Sequence, residues 1–243
     1  MNNMNPYEKT TYSRTSTRID AVEEAQKDFI AKVFGWMTAA LVVTGVVARF
    51  VFMSAALQQL IFGTPGIFFI LILGEFGLVI YLSAAINRMS ATTAIWSFIG
   101  YSALNGLTLS SIFMYFTSES LSSTFIITAA MFAAMAAWGY FTKKDLTGIG
   151  SLAFMGLIGI LIATLVNLFL RSEGIYWITS YIGVLVFTGL TAFDTQRIKR
   201  MYSFGTPDSE VNQKVAIIGA LQLYLDFINL FLMLLRIMGR QRR

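Results

Sequence analysis

The chain has 243 residues, 56% of them hydrophobic and 13% charged, with a formal net charge of +5. A soluble domain carries about a quarter charged residues, so this composition, with a mean hydropathy of +0.67, is that of a membrane protein without room for a second, soluble domain. Cysteine and histidine are both absent, which excludes disulfides, thiol nucleophiles, Cys/His zinc sites and histidine triads or proton shuttles.

Residues 1–28 are polar and lack a cleavable apolar region, so they read as a disordered N-terminal tail and not as a signal peptide. A membrane span needs about 20 apolar residues. Seven stretches qualify: 29–53, 65–87, 91–116, 121–141, 149–170, 175–198 and 215–238. The breaks between them are short and polar, from "FGTPG" and "NRMSA" to "TKKDLTG" and "RSEG". Short connections imply antiparallel neighbours in one bundle. The expected fold is an all-α integral membrane protein, a monomeric seven-helix bundle over 29–239 followed by a basic tail, 240–243.

Lysine and arginine set the orientation. With the N-terminus in the cytoplasm, that side holds Lys9, Arg14, Arg18, Lys27, Lys32, Arg88, Lys143, Lys144, Arg197, Lys199, Arg200 and Lys214. Over the first six spans the other side holds only Arg49 and Arg171. This distribution reads as orientation in a membrane, and no nucleic acid is expected. Seven crossings place Arg236, Arg240, Arg242 and Arg243 outside, against the rule. The last segment is either re-entrant or a full span, and its length favours crossing.

Polar residues within the spans recur at helical spacing. The third span offers Tyr101, Asn105 and Thr108, and the fifth Gly156, Gly159, Ala163 and Asn167. Ser180, Gly183, Phe187, Thr191 and Asp194 share a face in the sixth, and Gly219, Gln222, Asp226, Asn229, Met233 and Arg236 in the last. Such stripes are first of all packing faces, where small residues let helices approach and polar ones bond across.

Three acids lie inside spans: Glu75, Asp194 and Asp226. One intramembrane carboxyl has a bland reading, as a neutral group in one hydrogen bond or half of a fixed ion pair. Two on consecutive helices have more to offer. If they meet, they cannot both ionise cheaply and would share a proton. The same pair is an oxygen-rich site that a hard cation such as calcium prefers. Span direction suggests two charge partnerships, Arg236 with Glu75 and Arg88 with the aspartates. Arg88 reads equally well as an interfacial anchor.

The strings "KVFGWMTAALVVTGVVA", "ALNGLTLSSIF", "TAFDTQRIK" and "GALQLYLDFINLFLMLLRIMG" occur in order across residues 28 to 239. On them the chain resembles the bacterial branch of the transmembrane Bax inhibitor motif family. The resemblance implies seven helices with the last surrounded by the other six. It further implies a pH-sensitive calcium leak in a bacterial inner membrane, with Asp194 and Asp226 as a hydrogen-bonded pair that senses protons and meets calcium. The family's arginine near the end of the second helix has no counterpart at Ala84 or Ala85, and Arg88 is the nearest substitute.

The resemblance carries no enzyme activity and no cofactor, calcium being the transported ion. The expected partners are the lipid bilayer, calcium ions and other membrane proteins. Two rival readings stand beside the leak. One is a non-conducting regulator that binds a membrane protease or another complex. The other is an intramembrane aspartyl protease, which also places one aspartate on each of two late helices. Against it, the second aspartate follows "LYL" and no proline lies beyond Pro207.

Overall fold

The computed structural model describes residues 6–202 and 209–242, with side chains from residue 22 onward except at Pro65. The described residues form helices α1 (Pro6–Met53), α2 (Ala55–Phe62), α3 (Pro65–Ala85), α4 (Ala91–Leu109) and α5 (Ile112–Tyr115). These are followed by α6 (Ser118–Phe141), α7 (Thr147–Leu170), α8 (Glu173–Met201) and α9 (Glu210–Met238). Hydroxyl side chains start most of the long helices: Ser90, Thr117, Ser172 and Ser209 accept from the backbone of α4, α6, α8 and α9. Each satisfies an N–H that helix geometry leaves without a partner.

The sequence expectations and the structure differ in three places. Disorder was expected through residue 28, whereas α1 is helical from Pro6, because neither glycine nor proline interrupts it before Gly35. Ser54 caps a short helix, α2, inside what looked like a plain connection. The expected span 91–116 divides into α4 and α5 at Ser110 and Ser111. Their hydroxyls bond back to the carbonyls of Leu107, at 2.6 Å, and Thr108, at 3.0 Å, a local alternative to straight helix.

Among the described residues six helices are long and apolar enough to cross a membrane: α1 from Val22, α3 from Gly66, α6, α7, α8 and α9. The protein is therefore an integral multi-pass membrane protein. Phe169, Phe141 and Leu185 are 88%, 76% and 74% exposed, which only a hydrocarbon surround accommodates at this density. α4 is absent from the six because serines, threonines, Asn105, Trp96 and Tyr101 lower its hydropathy.

α9 is the axis of the bundle. It packs on α8, α1, α6 and α4, and 67% of its apolar stretch is buried, against 6% for α3. α3 instead lies on α4, and α7 on α8, so the last helix is enclosed directly by four neighbours and not by six. Close approaches fix the registers. A Cβ on Gly139 of α6 would fall on the Ala192 carbonyl of α8, and one on Gly150 or Gly156 of α7 would meet Phe193 or Val186.

The bundle has a lysine- and arginine-rich end and an opposite end. At the first, Gln26 donates to the Lys199 carbonyl at 2.8 Å and Lys199 to the Tyr140 carbonyl at 3.1 Å. Lys214 donates there to the Met89 carbonyl at 3.3 Å. At the opposite end the C-terminal residues pair antiparallel with the start of α6. Thr117 N–H donates to the Arg240 carbonyl at 3.1 Å and Arg242 N–H to the Tyr115 carbonyl at 2.8 Å. The tail expected at 240–243 is thus strapped down through Arg242, while Arg243 lies outside the described residues.

Candidate functional site: an aspartate pair between α8 and α9

The polar stripes of the last two spans face each other. Gly219 sits against Ile198, Gly183 against Met233, and the Arg236 guanidinium lies 5.4 Å from the centroid of the Tyr176 ring. This antiparallel register puts Asp226 about one turn, or ~5 Å, further from the basic end than Asp194. Side chains on a helix lean toward its own N-terminus. On antiparallel helices the two leans converge, so the carboxyl groups come within hydrogen-bonding reach of each other. A late start to the last helix, one route by which the sequence would bring them level, is not used: α9 begins early, at Glu210.

Both aspartates are buried, at 9% and 5% exposure. They line a cleft of about 540 Å³ with α8 as its floor and Ser151 of α7 and Gln222 and Asn229 of α9 on its sides. Arg197, one turn beyond Asp194, lines the same cleft and is itself exposed. Gln222 Oε1 and Asp226 Oδ2 are buried without a donor among the described residues. Buried acceptors of this kind are costly, and their convergence gives the cleft an unmet demand for a proton or a cation. Among the described residues no cluster of three or more acids forms. Calcium takes six to eight oxygens, more than this pair and one amide provide without water.

Glu75 does not meet Arg236. Its Oε1 accepts from Thr108 Oγ1 at 2.6 Å and its Oε2 from Asn105 Nδ2 at 3.4 Å. Asn105 Oδ1 in turn accepts from the Tyr224 hydroxyl at 3.0 Å, and Tyr224 and Thr44 hydroxyls share a bond of 2.7 Å. A polar chain thus runs from α3 through α4 to α9 and α1. The expected pairing fails because α3 faces α4, whereas Arg236 faces α8. Arg88 is exposed and forms no ion pair among the described residues. The cation beside Asp194 is Arg197.

The Tyr101, Asn105 and Thr108 stripe was legible, but its partner Glu75 was not assigned. Matching depths along spans running in opposite directions was the available signal. Thr44 had none, since it is one polar group in an apolar stretch, and Tyr224 falls off the helix face that carries Gln222 and Asp226.

Over residues 26–243 the chain matches the profile of the family described as "Inhibitor of apoptosis-promoting Bax1". It is 53% identical over 216 residues to a protein of Escherichia coli (strain K12) named "Inner membrane protein YbhL", covering 88% of this chain and 92% of that one. A relative from Borreliella burgdorferi is 46% identical over 229 residues, 92% of this chain and 99% of its own length. One from Rickettsia prowazekii is 42% identical over 228 residues, 94% and 96% respectively.

Proposed function

This chain belongs to the family of inhibitors of apoptosis-promoting Bax1, and we propose that it is a pH-sensitive calcium leak governed by the Asp194–Asp226 pair. The observation that carries this reading is the meeting of two buried carboxyl groups at a cleft where Asp226 Oδ2 and the neighbouring Gln222 Oε1 both lack a donor among the described residues. Two ionised carboxylates about 4 Å apart repel by ~4 kcal/mol at an effective dielectric of about 20. A proton or a passing cation relieves that repulsion, and the two compete for the same place. Incomplete coordination suits an ion in transit, since a channel site must release what it binds.

In this reading α4 is the seventh crossing. Its 19 residues span about 28 Å, close to a hydrocarbon core of roughly 30 Å, and its Asn105 and Thr108 bond to α3 and α9 within the bundle. The relative named an inner membrane protein supports the same location here. The chain acts as a conductor and not as an enzyme, with no resident cofactor.

The test is calcium flux into vesicles containing the purified protein alone. Flux should vary with pH between about pH 5 and 8, and Asp194→Asn with Asp226→Asn should flatten that variation. An unchanged pH profile in the double variant would place the sensor elsewhere. Absence of any flux from the parent protein would favour the non-conducting regulator, and cleavage of a membrane peptide would favour the protease.

A further inference from the structure

A second cavity, of about 570 Å³, opens on another side of α9, between α1 and α6. Its size is that of a small-molecule site. Gly45 and Ala48 of α1, Phe125 of α6 and Phe227 and Phe231 of α9 give it an apolar lining, and no acidic residue contributes. Arg49 lines it toward the end where α1 finishes, the end that also carries Ser118 and the C-terminal strap.

The charge at this cavity is one-sided. The Arg49 guanidinium lies 5.6 Å from the Phe52 ring centroid, and that of Arg242 lies 5.1 Å from the same centroid. Neither arginine forms an ion pair among the described residues. Arg242 is held in place because its N–H donates to the Tyr115 carbonyl at 2.8 Å. Two guanidiniums at one ring repel a metal cation, and a lining with three hydroxyl groups (Thr44, Ser118 and Ser122) and no carboxylate falls short of the six to eight oxygens calcium takes. The cavity is therefore no vestibule for the ion path proposed above.

What fits is an amphiphile with a negative head. We propose that the cavity takes one acyl chain of an anionic phospholipid from the surrounding leaflet, with the phosphate held by Arg49 and Arg242. Arginine forks match phosphate oxygens in pairs, and a long cationic side chain near a helix end reaches the headgroup level while its stem stays in hydrocarbon. The antiparallel strap at Phe116 then has a use beyond closing the bundle: it brings the second arginine to the headgroup.

Native mass spectrometry of delipidated protein in neutral detergent tests this, with dioleoyl phosphatidylglycerol, dioleoyl phosphatidylcholine and oleic acid as probes. Phosphatidylglycerol should bind at least tenfold more tightly than either of the others. Arg49→Gln combined with Arg242→Gln should reduce its advantage over phosphatidylcholine to threefold or less. A Cβ at Gly45 meets nothing within 4 Å, so Gly45→Phe should fill the cavity and cut phosphatidylglycerol binding at least tenfold. Gly77→Phe, placed in equally open space on α3, should leave it unchanged. Equal binding of the two phospholipids, equal binding of oleic acid, or an unaffected Gly45→Phe protein overturns the proposal. Should Gly45→Phe fail to fold, the arginine variants decide alone, because a preference that survives them overturns it as well.

Discussion

Asp226 has lost nearly all contact with solvent, and its Oδ2 lacks a donor, so Asp194 and whatever sits between them set its state. Coupling between the two is then unavoidable. Replacing either one by asparagine leaves an amide that can donate to the remaining carboxyl, whereas replacing both removes both carboxyl groups. Apparent unfolding free energies in detergent at pH 8 should show a coupling of about 0.5–3 kcal/mol across the four proteins of a double-mutant cycle. Additivity within about 0.3 kcal/mol would mean that the two groups do not meet. At the basic end Asp145 has a different environment. It accepts from Thr147 Oγ1 at 2.8 Å and Thr147 N–H at 3.2 Å, with Arg200 at 3.3 Å. The Thr147 hydroxyl, then its backbone and to a lesser degree Arg200, hold the Asp145 carboxyl below its ordinary value of 3.8. A depressed carboxyl stabilises the fold above its unfolded pKa and loses that contribution as pH falls through the folded one. Asp145→Ala should therefore weaken hydrogen-exchange protection in the first turn of α7 at pH 7, and the difference should disappear well below pH 3.8. A gap that persists in acid would show that the carboxylate is not the cause.

Helix contacts in this bundle are decided by glycines that resemble one another in sequence and differ in surroundings. On Gly139 a Cβ would fall on the Ala192 backbone carbonyl, while on Gly159 it meets nothing within 4 Å. Gly139→Ala should force α6 from α8 and destabilise by about 1–3 kcal/mol, the usual cost of overpacking. Gly159→Ala should be neutral or stabilising by up to about 1 kcal/mol, the helix preference of alanine over glycine. Thermal unfolding of both variants in one detergent makes the comparison, and equal shifts would contradict the packing. The same pair marks how far the sequence could be read. Its period places Gly219, Gln222, Asp226 and Met233 on one face of α9, and that face does meet α8, because helical spacing determines which residues share a side. Spacing says nothing of what lies opposite, so Gly159 was grouped with Gly156 although only Gly156 has a neighbour, Val186. The aspartate pair was legible as two acids on consecutive helices. The partners of Glu75 were not, since charge complementarity pointed to Arg236 while hydroxyl and amide groups on the adjacent α4 satisfied it. The break at Ser110 was hidden for a similar reason, since a serine hydroxyl either follows a straight helix or bonds back to end it.

At the scale of the whole molecule the two ends of the bundle carry unequal positive charge. Lys27, Lys32, Arg88, Lys143, Lys144, Arg197, Lys199, Arg200 and Lys214 gather at the end where α9 begins, and Arg49, Arg171, Arg236, Arg240 and Arg242 at the other. On the proposed topology the first end is the cytoplasmic one, where positive residues near short connections stay. The C-terminal arginines oppose that bias, yet their position is fixed by structure: Arg240 and Arg242 pair with the chain at Thr117 and Tyr115, at the end opposite Lys214. α9 therefore runs the full length of the bundle and does not turn back. Cytoplasmic residues around Lys143 and an external C-terminus follow together, provided α4 crosses. A reporter that fluoresces only when folded in the cytoplasm should be bright when inserted beside Lys143 and dark when fused after Arg243. A phosphatase that works only outside should give the reverse pattern at the same two sites. If both reporters placed Lys143 and Arg243 on one side, α9 would be re-entrant, since α7, α8 and α9 separate the two sites, whereas a fully reversed pattern would mean that α4 does not cross. Either outcome would overturn the seven-crossing topology.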